Sequence, residues 1–215
     1  MSAYLKLLLI RHAQSLGNAA GMMEGQGSTA LSAVGRSQSQ RLAAYLGQHY
    51  PCPEGLYSSP LQRAVETAQP LASVWSCPLG VESALQEMHQ GIFQGLTWAE
   101  AQQRYPQLCQ RLLSSLDYLP VPGAETQAAA YRRALAWLQV LWQRHSSGGR
   151  VVMISHGGFM QQLIGAIMGC DRTWKVTIGH TALFEFWLKQ PQSDDLARYN
   201  PECWQLRCFN SCPHL

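Results

Sequence analysis

The chain has 215 residues, enough for one domain with a substantial core, burying about 70% of its unfolded surface. Only 13% of residues are charged, against 47% hydrophobic, so the position of each arginine is more informative than their sum. A net charge of +3 without any Lys/Arg run argues against a nucleic-acid partner, and no apolar stretch approaches the roughly 20 residues a membrane span needs.

Leu5 to Ile10 is a continuous apolar run, the pattern of a strand buried on both faces of a parallel sheet. Ser32 reads as the N-cap of a helix through Gln38, Leu42 and Leu46 that stops before Pro51. Gly55 to Ser58 is a short strand. Ser59-Pro60 then predicts a helix with Ser59 as N-cap and Pro60 in its first position, running to about Ser73. Pro78 to Leu85 is a weaker strand. Trp98, Ala101, Tyr105, Leu108, Leu112 and Leu116 give a helical pattern over 97–116, closed by the Pro120–Gly123 turn. A long helix follows over about Glu125 to His145, with Leu135, Leu138 and Leu141 on its apolar side. Val151 to Ser155 is a second clear strand, Gly157 to Met168 a helix, and Ala182–Leu188 and Trp204–Phe209 are final strands. Alternation of strand and helix predicts one three-layer α/β/α domain over 1–215, with a mostly parallel sheet of about six strands. The stretch 97–124 interrupts that order and reads as a small helical cap.

The seven cysteines are odd in number and widely spread. Without a signal-like segment at the start they read as reduced thiols of a cytoplasmic protein. A homodimer is left open.

Four polar positions stand just beyond predicted strand ends. They are Arg11-His12 after the first strand, Arg63 in the helix after Ser58, Glu87 after Leu85, and His156 after Ser155. Ligands of open α/β sheets bind in the crevice past the carboxyl ends of the strands. If these strands are parallel, all four positions face that crevice. Singly, each has a bland reading as a solvated or satisfied polar group; the shared location is the argument.

The same residues resemble the signatures of the histidine phosphatase, or phosphoglycerate-mutase-like, superfamily. Leu9-Ile10-Arg11-His12 with Ser15 and Asn18 is similar to its N-terminal motif, and Ser58-Ser59-Pro60-Leu61-Gln62-Arg63-Ala64 with Thr67-Ala68 to its second. Glu87 with Gly91 and Gly95-Leu96-Thr97 resembles the acid-bearing loop, Gly123-Ala124-Glu125-Thr126 a Gly-Gly-Glu-Ser element, and Ile154-Ser155-His156-Gly157-Gly158 the second histidine motif. The resemblance implies a phosphoglycerate-mutase-like fold and a phosphoryl group carried on His12. Arg11, Arg63 and His156 would hold the phosphate, and Glu87 would protonate the leaving oxygen and then activate water. Gly157 would open an anion-binding helix terminus. Ser15, Asn18, Glu24 and Gly25 would line the substrate pocket. No metal and no other cofactor is implied, because fixed positive charge can replace a metal ion.

Departures stand out. Ala13 and Gln14 follow the histidine where the family commonly has Gly and Glu, and His180 replaces an expected Asn. Gln14 is expected to make the pocket less acidic. The mutase branch places an Arg after its acid and further cations in the insertion; here Met88, His89 and Gln90 follow Glu87. The reading is therefore a metal-independent phosphatase for a small phosphorylated metabolite. A phosphoglycerate mutase and a non-catalytic phosphometabolite binder are the alternatives, and a metal site among Cys203, Cys208, Cys212 and His214 is a weaker one.

Overall fold

The computed structural model describes residues 4–172, 174, 176–189 and 200–215. Strand β1 (Leu5–Arg11) lies between β4 (Gly149–Ser155), which runs parallel to it, and β5 (Leu183–Leu188), which runs antiparallel. It is central in the sheet and covered by helices on both faces, which explains its unbroken apolar run. Strand β2 (Gly55–Ser58) continues the parallel half between β4 and the short β3 (Leu79–Val81), and β6 (Trp204–Ser211) pairs antiparallel with β5. The six-stranded order is β3-β2-β4-β1-β5-β6.

Alternate β1 residues separate two cores. Leu8 and Ile10 pack with helices α2 (Ala33–His49) and α3 (Gln62–Trp75), while Leu5, Leu7 and Leu9 pack with α6 (Gln127–Arg144) and α7 (Gly157–Ile167). This is the three-layer α/β/α architecture expected from the alternating pattern. Ser32 caps α2 by accepting from Gly35 N at 3.0 Å, and Thr126 caps α6 by accepting from Ala129 N at 3.1 Å. A four-residue helix, α1 (Leu16–Ala19), follows β1.

Four local expectations are corrected. Helix α3 starts at Gln62 with Leu61 as its cap residue, because the Ser59 hydroxyl is engaged by the His156 ring at 2.8 Å. Only Leu79–Val81 of the 78–85 segment is strand; Ser83–Leu85 is a 3-10 turn. The 97–116 pattern is two helices, α4 (Trp98–Arg104) and α5 (Pro106–Ser114), since Pro106 starts a new helix. Leu116, past the end of α5, is exposed, as is Leu135, whose place on the apolar side of α6 is taken by Ala134 and Trp137.

Helices α4 and α5 close on a small cluster of their own, with Ala101 and Cys109 against Phe93 and Leu96 and with Met23 at its border. This joins the inserted segment to the loop following β1.

Candidate active site

The parallel strands β1, β2 and β4 end together, and β5, running the other way, begins beside them. Arg11 ends β1, and His12 N donates to Ser155 O at the end of β4 at 2.9 Å. Arg63 stands in the first turn of α3, which follows β2, and His156 directly follows β4. Glu87 follows the 3-10 turn after β3. A cleft of about 200 Å³ opens there, lined by Arg11, His12, Asn18, Glu24, Arg63 and Glu87 together with Met22, Met23, Gly25 and Gln90.

His12 is 3% exposed. Its Nδ1 lies 2.7 Å from Ala13 O, which can only accept, so Nδ1 carries the proton and Nε2 presents a lone pair. Arg63 Nε donates to that Nε2 at 3.2 Å. Desolvation holds the His12 pKa well below its ordinary 6.5, and Arg63 and Arg11 push it in the same direction. The ring is thereby kept neutral, as a nitrogen nucleophile requires.

Arg63 is 1% exposed, and its two terminal nitrogens donate to Gly27 O at 2.6 Å and Gly25 O at 2.8 Å. The guanidinium therefore also anchors the loop that follows α1. Arg11 donates to Ile178 O at 2.6 Å, and its buried Nε has no partner among the described residues. Burial lowers the pKa of both arginines, with Glu24 and Glu87 opposing that shift, and a guanidinium remains charged throughout.

His156 is fully buried, with its ring centroid 4.8 Å from that of His12 and its Nδ1 without a partner among the described residues. It does not line the cleft. Desolvation, then His12, Arg63 and Arg11, push its pKa well below 6.5. Gly157 does not line the cleft either. The anion seated on the first turn of α7 is the Glu87 carboxylate: Oε2 accepts from Gly158 N at 2.9 Å, and Oε1 from Phe159 N and from Met88 N, both at 2.8 Å. A Cβ at Gly158 would lie 2.6 Å from Glu87 Oε1, so this seat requires glycine.

Ser15, Asn18 and Glu24 form an internal network. Glu24 Oε2 accepts from Ser15 Oγ at 2.6 Å and Asn18 Nδ2 at 2.8 Å, Oε1 accepts from the Thr29 hydroxyl, and Arg63 Nε lies 3.8 Å away. Ser15 is wholly buried and outside the lining, whereas Asn18, Glu24 and Gly25 border the cleft. Gly25 adopts φ +50°, and a Cβ there would come within 2.8 Å of the Gln90 side chain. His180 Nε2 meets Asn18 Oδ1 at 3.0 Å, and burial, then Arg11, lowers its pKa to about 4. Gln14 turns away from the cleft to accept from the Ser32 hydroxyl at 2.8 Å. Its neutrality does not alter the pocket.

Thr29, Gln90 and Thr67, whose Oγ1 accepts from Ala13 N at 3.0 Å, are site residues that strand-end reasoning missed. Only Thr67 carried a sequence signal, through the motif around Arg63. Among the described residues, no group of three or more His, Cys, Asp or Glu side chains gathers around a common point. His214, the histidine of the C-terminal metal reading, instead contacts Thr181 Oγ1 at 2.8 Å.

The description "Histidine phosphatase superfamily (branch 1)" belongs to the family model that matches residues 7–200. A metal-independent phosphoserine phosphatase of Arabidopsis thaliana is 34% identical over 164 residues, covering 75% of this chain and 68% of that protein. A glucosyl-3-phosphoglycerate phosphatase of Mycolicibacterium vanbaalenii is 30% identical over 195 residues, covering 82% of this chain and 85% of that protein. Among solved structures, a mycobacterial glucosyl-3-phosphoglycerate phosphatase complexed with VO3 superposes with a TM-score of 0.76 at 25% identity, covering 96% of this chain and 99% of that one.

Proposed function

Because the chain belongs to branch 1 of the histidine phosphatase superfamily, we propose that it is a metal-independent phosphomonoester hydrolase for a small phosphorylated metabolite, working through a phosphohistidine at His12. The observation that carries this reading is the neutral His12, its unprotonated Nε2 accepting only from Arg63 Nε at a cleft bordered by two guanidiniums and the Glu87 carboxyl.

The phosphoryl group approaches the Nε2 lone pair, and Arg63 Nε–H passes from that nitrogen to a phosphoryl oxygen. Arg11 Nε, buried without a partner, is a second donor to the same group. Charge developing on the equatorial oxygens meets donors already fixed in place. His12 Nε2 bonds to phosphorus as the ester P–O bond breaks, and the proton that a monoanionic phosphate ester brings to the Glu87 carboxylate passes to the departing oxygen. Water then attacks the phosphohistidine, Glu87 takes the proton back, and phosphate leaves as His12 returns to its neutral form. Acid–base help of this kind contributes about 10²–10⁴ in rate. His156, its ring centroid 4.8 Å from that of His12 and its Nδ1 unpartnered among the described residues, is a further donor toward the phosphoryl group. Asn18, Glu24 and Gly25 shape the pocket, and Ser15 fixes Glu24.

Hydrolysis is favoured over mutase chemistry by the lining, whose cations among the described residues are Arg11 and Arg63. A mutase holds a second phosphate and needs further cations for it. Residues 1–215 are read as one domain in which 97–124 caps the cleft. No helix of the described residues is long and apolar enough to cross a membrane; a cytoplasmic setting, no nucleic-acid partner and an open question of homodimerisation complete the reading.

The test is an activity panel of phosphorylated metabolites, beginning with phosphoserine and glucosyl-3-phosphoglycerate, the substrates in the relatives' names. Turnover should persist in EDTA, and brief reaction with a 32P-labelled substrate should leave label on His12. His12→Ala should lose the label and on the order of 10⁴-fold or more in kcat. Loss of activity in EDTA with recovery on adding a divalent ion would sink the metal-free mechanism, and rapid interconversion of phosphoglycerates would favour the mutase.

A further inference from the structure

Two groups outside the cleft converge on the seat of Glu87. Arg133, in the second turn of α6, forks onto Glu125, with Nε to Oε1 at 3.0 Å and Nη2 to Oε2 at 2.7 Å. Its remaining terminal nitrogen donates to two carbonyls, Ala84 O and Gln86 O, both at 2.8 Å. These belong to the 3-10 turn and the residue after it, which lead directly into Glu87. The guanidinium carbon also lies 3.9 Å from the centroid of the Phe159 ring. Phe159 N–H is one of the two α7 donors that hold the Glu87 carboxylate. Beyond Glu87, Glu125 N donates to His89 O at 2.9 Å.

We propose that Arg133 and Glu125 form a bracket that positions Glu87 for proton transfer to the leaving oxygen. One guanidinium fixes both halves of the seat: the loop that delivers the carboxyl and the helix turn that receives it. Glu125 secures the same loop on its far side, which gives the Gly123-Ala124-Glu125-Thr126 element a purpose in the chemistry. The bracket is a positioning device, since neither residue lines the cleft. It depends on planar, two-pronged geometry, which a lysine cannot reproduce. This inference rests on the phosphatase reading and on Glu87 as its acid.

A merely structural ion pair and a bracket differ in one measurable respect. Proton donation matters most when the leaving oxygen is strongly basic, so a misplaced acid penalises phenyl phosphate more than p-nitrophenyl phosphate. The two esters have nearly the same shape, and kcat/KM reports the step in which the ester bond breaks. Arg133→Lys and Glu125→Gln should each cost phenyl phosphate about tenfold more than p-nitrophenyl phosphate, a fraction of the full acid–base contribution. Glu87→Gln should steepen the same dependence, and adding Arg133→Lys to it should steepen it no further. Melting curves show which variants are folded; if Arg133→Lys is not, Glu125→Gln carries the comparison.

Equal losses on both esters, in folded variants, would overturn the bracket while leaving the phosphatase intact. Additive steepening in the double variant would also overturn it, because the effect would not pass through Glu87. A wild-type protein that hydrolyses neither ester would overturn the phosphatase reading, and the bracket with it.

Discussion

At the start of β4, Arg150 meets Glu185 at 3.0 Å, while Trp187 Nε1 donates to the same carboxylate at 2.8 Å and Tyr50 closes over the guanidinium at 4.9 Å. At the end of β1, Arg11 forms no ion pair with any described residue. Arg63 there has a carboxylate only at 3.8 Å, already held by Ser15, Asn18 and Thr29. An unpartnered nitrogen does not by itself separate the two poles, since Arg150 Nε and Arg11 Nε both lack a partner among the described residues. The carboxylates do. One pole neutralises its partly buried cation within the chain, and the other leaves its two without a close carboxylate of their own, as the proposed phosphate site requires.

The largest contrast should come from removing one arginine at each pole. Arg11→Met is expected to lower kcat/KM on p-nitrophenyl phosphate by about 10²–10³, the scale of a lost transition-state donor, with little change in Tm. Arg150→Met should leave turnover nearly unchanged but cost about 1–3 kcal/mol by stranding Glu185, a drop of several degrees. If both variants lost turnover equally, the functional distinction between the poles would collapse.

A second contrast is with pH. His12 and His156 are kept neutral in the folded chain well below 6.5, first by burial and then by neighbouring positive groups. The unfolded chain takes up protons at both as pH falls through that value, so it binds more protons than the native state and stability declines. Thermal unfolding between about pH 7 and pH 5, above the ordinary carboxylate range, should show Tm falling with pH. Activity limited by the unprotonated His12 nitrogen should extend to lower pH than a free imidazole allows. A Tm that holds steady or rises on acidification would contradict the neutral pair.

The smallest effect belongs to His180. Its Nε2 stands as many bonds from the backbone as the side-chain nitrogen of glutamine, so His180→Gln should preserve the contact with Asn18. His180→Phe should raise KM about fivefold, the value of one hydrogen bond, with kcat little altered. Equal kinetics in both variants would remove His180 from the site.

Much of this was legible in the sequence because burial leaves continuous marks. The apolar runs of β1 and β4 stand out since helices cover both faces of the sheet there, and the residues just past them follow from topology alone. What misled was local chemistry serving distant partners. Ser59 looks like a helix cap but is engaged by a histidine 97 positions away. Gly157 looks like an opening for substrate phosphate, yet the adjacent amides hold Glu87. Gln14 reads as a pocket residue and turns to Ser32 instead. Arg133 was invisible because nothing in its own neighbourhood differs from a solvated helix face; only the closing of the chain brings it to Gln86.

The two carbonyls that anchor Arg63, those of Gly25 and Gly27, are backbone atoms. Side chains on the same loop, Met22 and Met23 among them, border the cleft without carrying that anchor. A descendant of this chain could therefore exchange them, admitting a larger, smaller or more polar ester, while the anchoring of Arg63 stayed as it was. Tolerance to change and catalytic constancy are thus divided between the side chains and the main chain of one short loop, which makes it the place to begin when selecting for a new substrate.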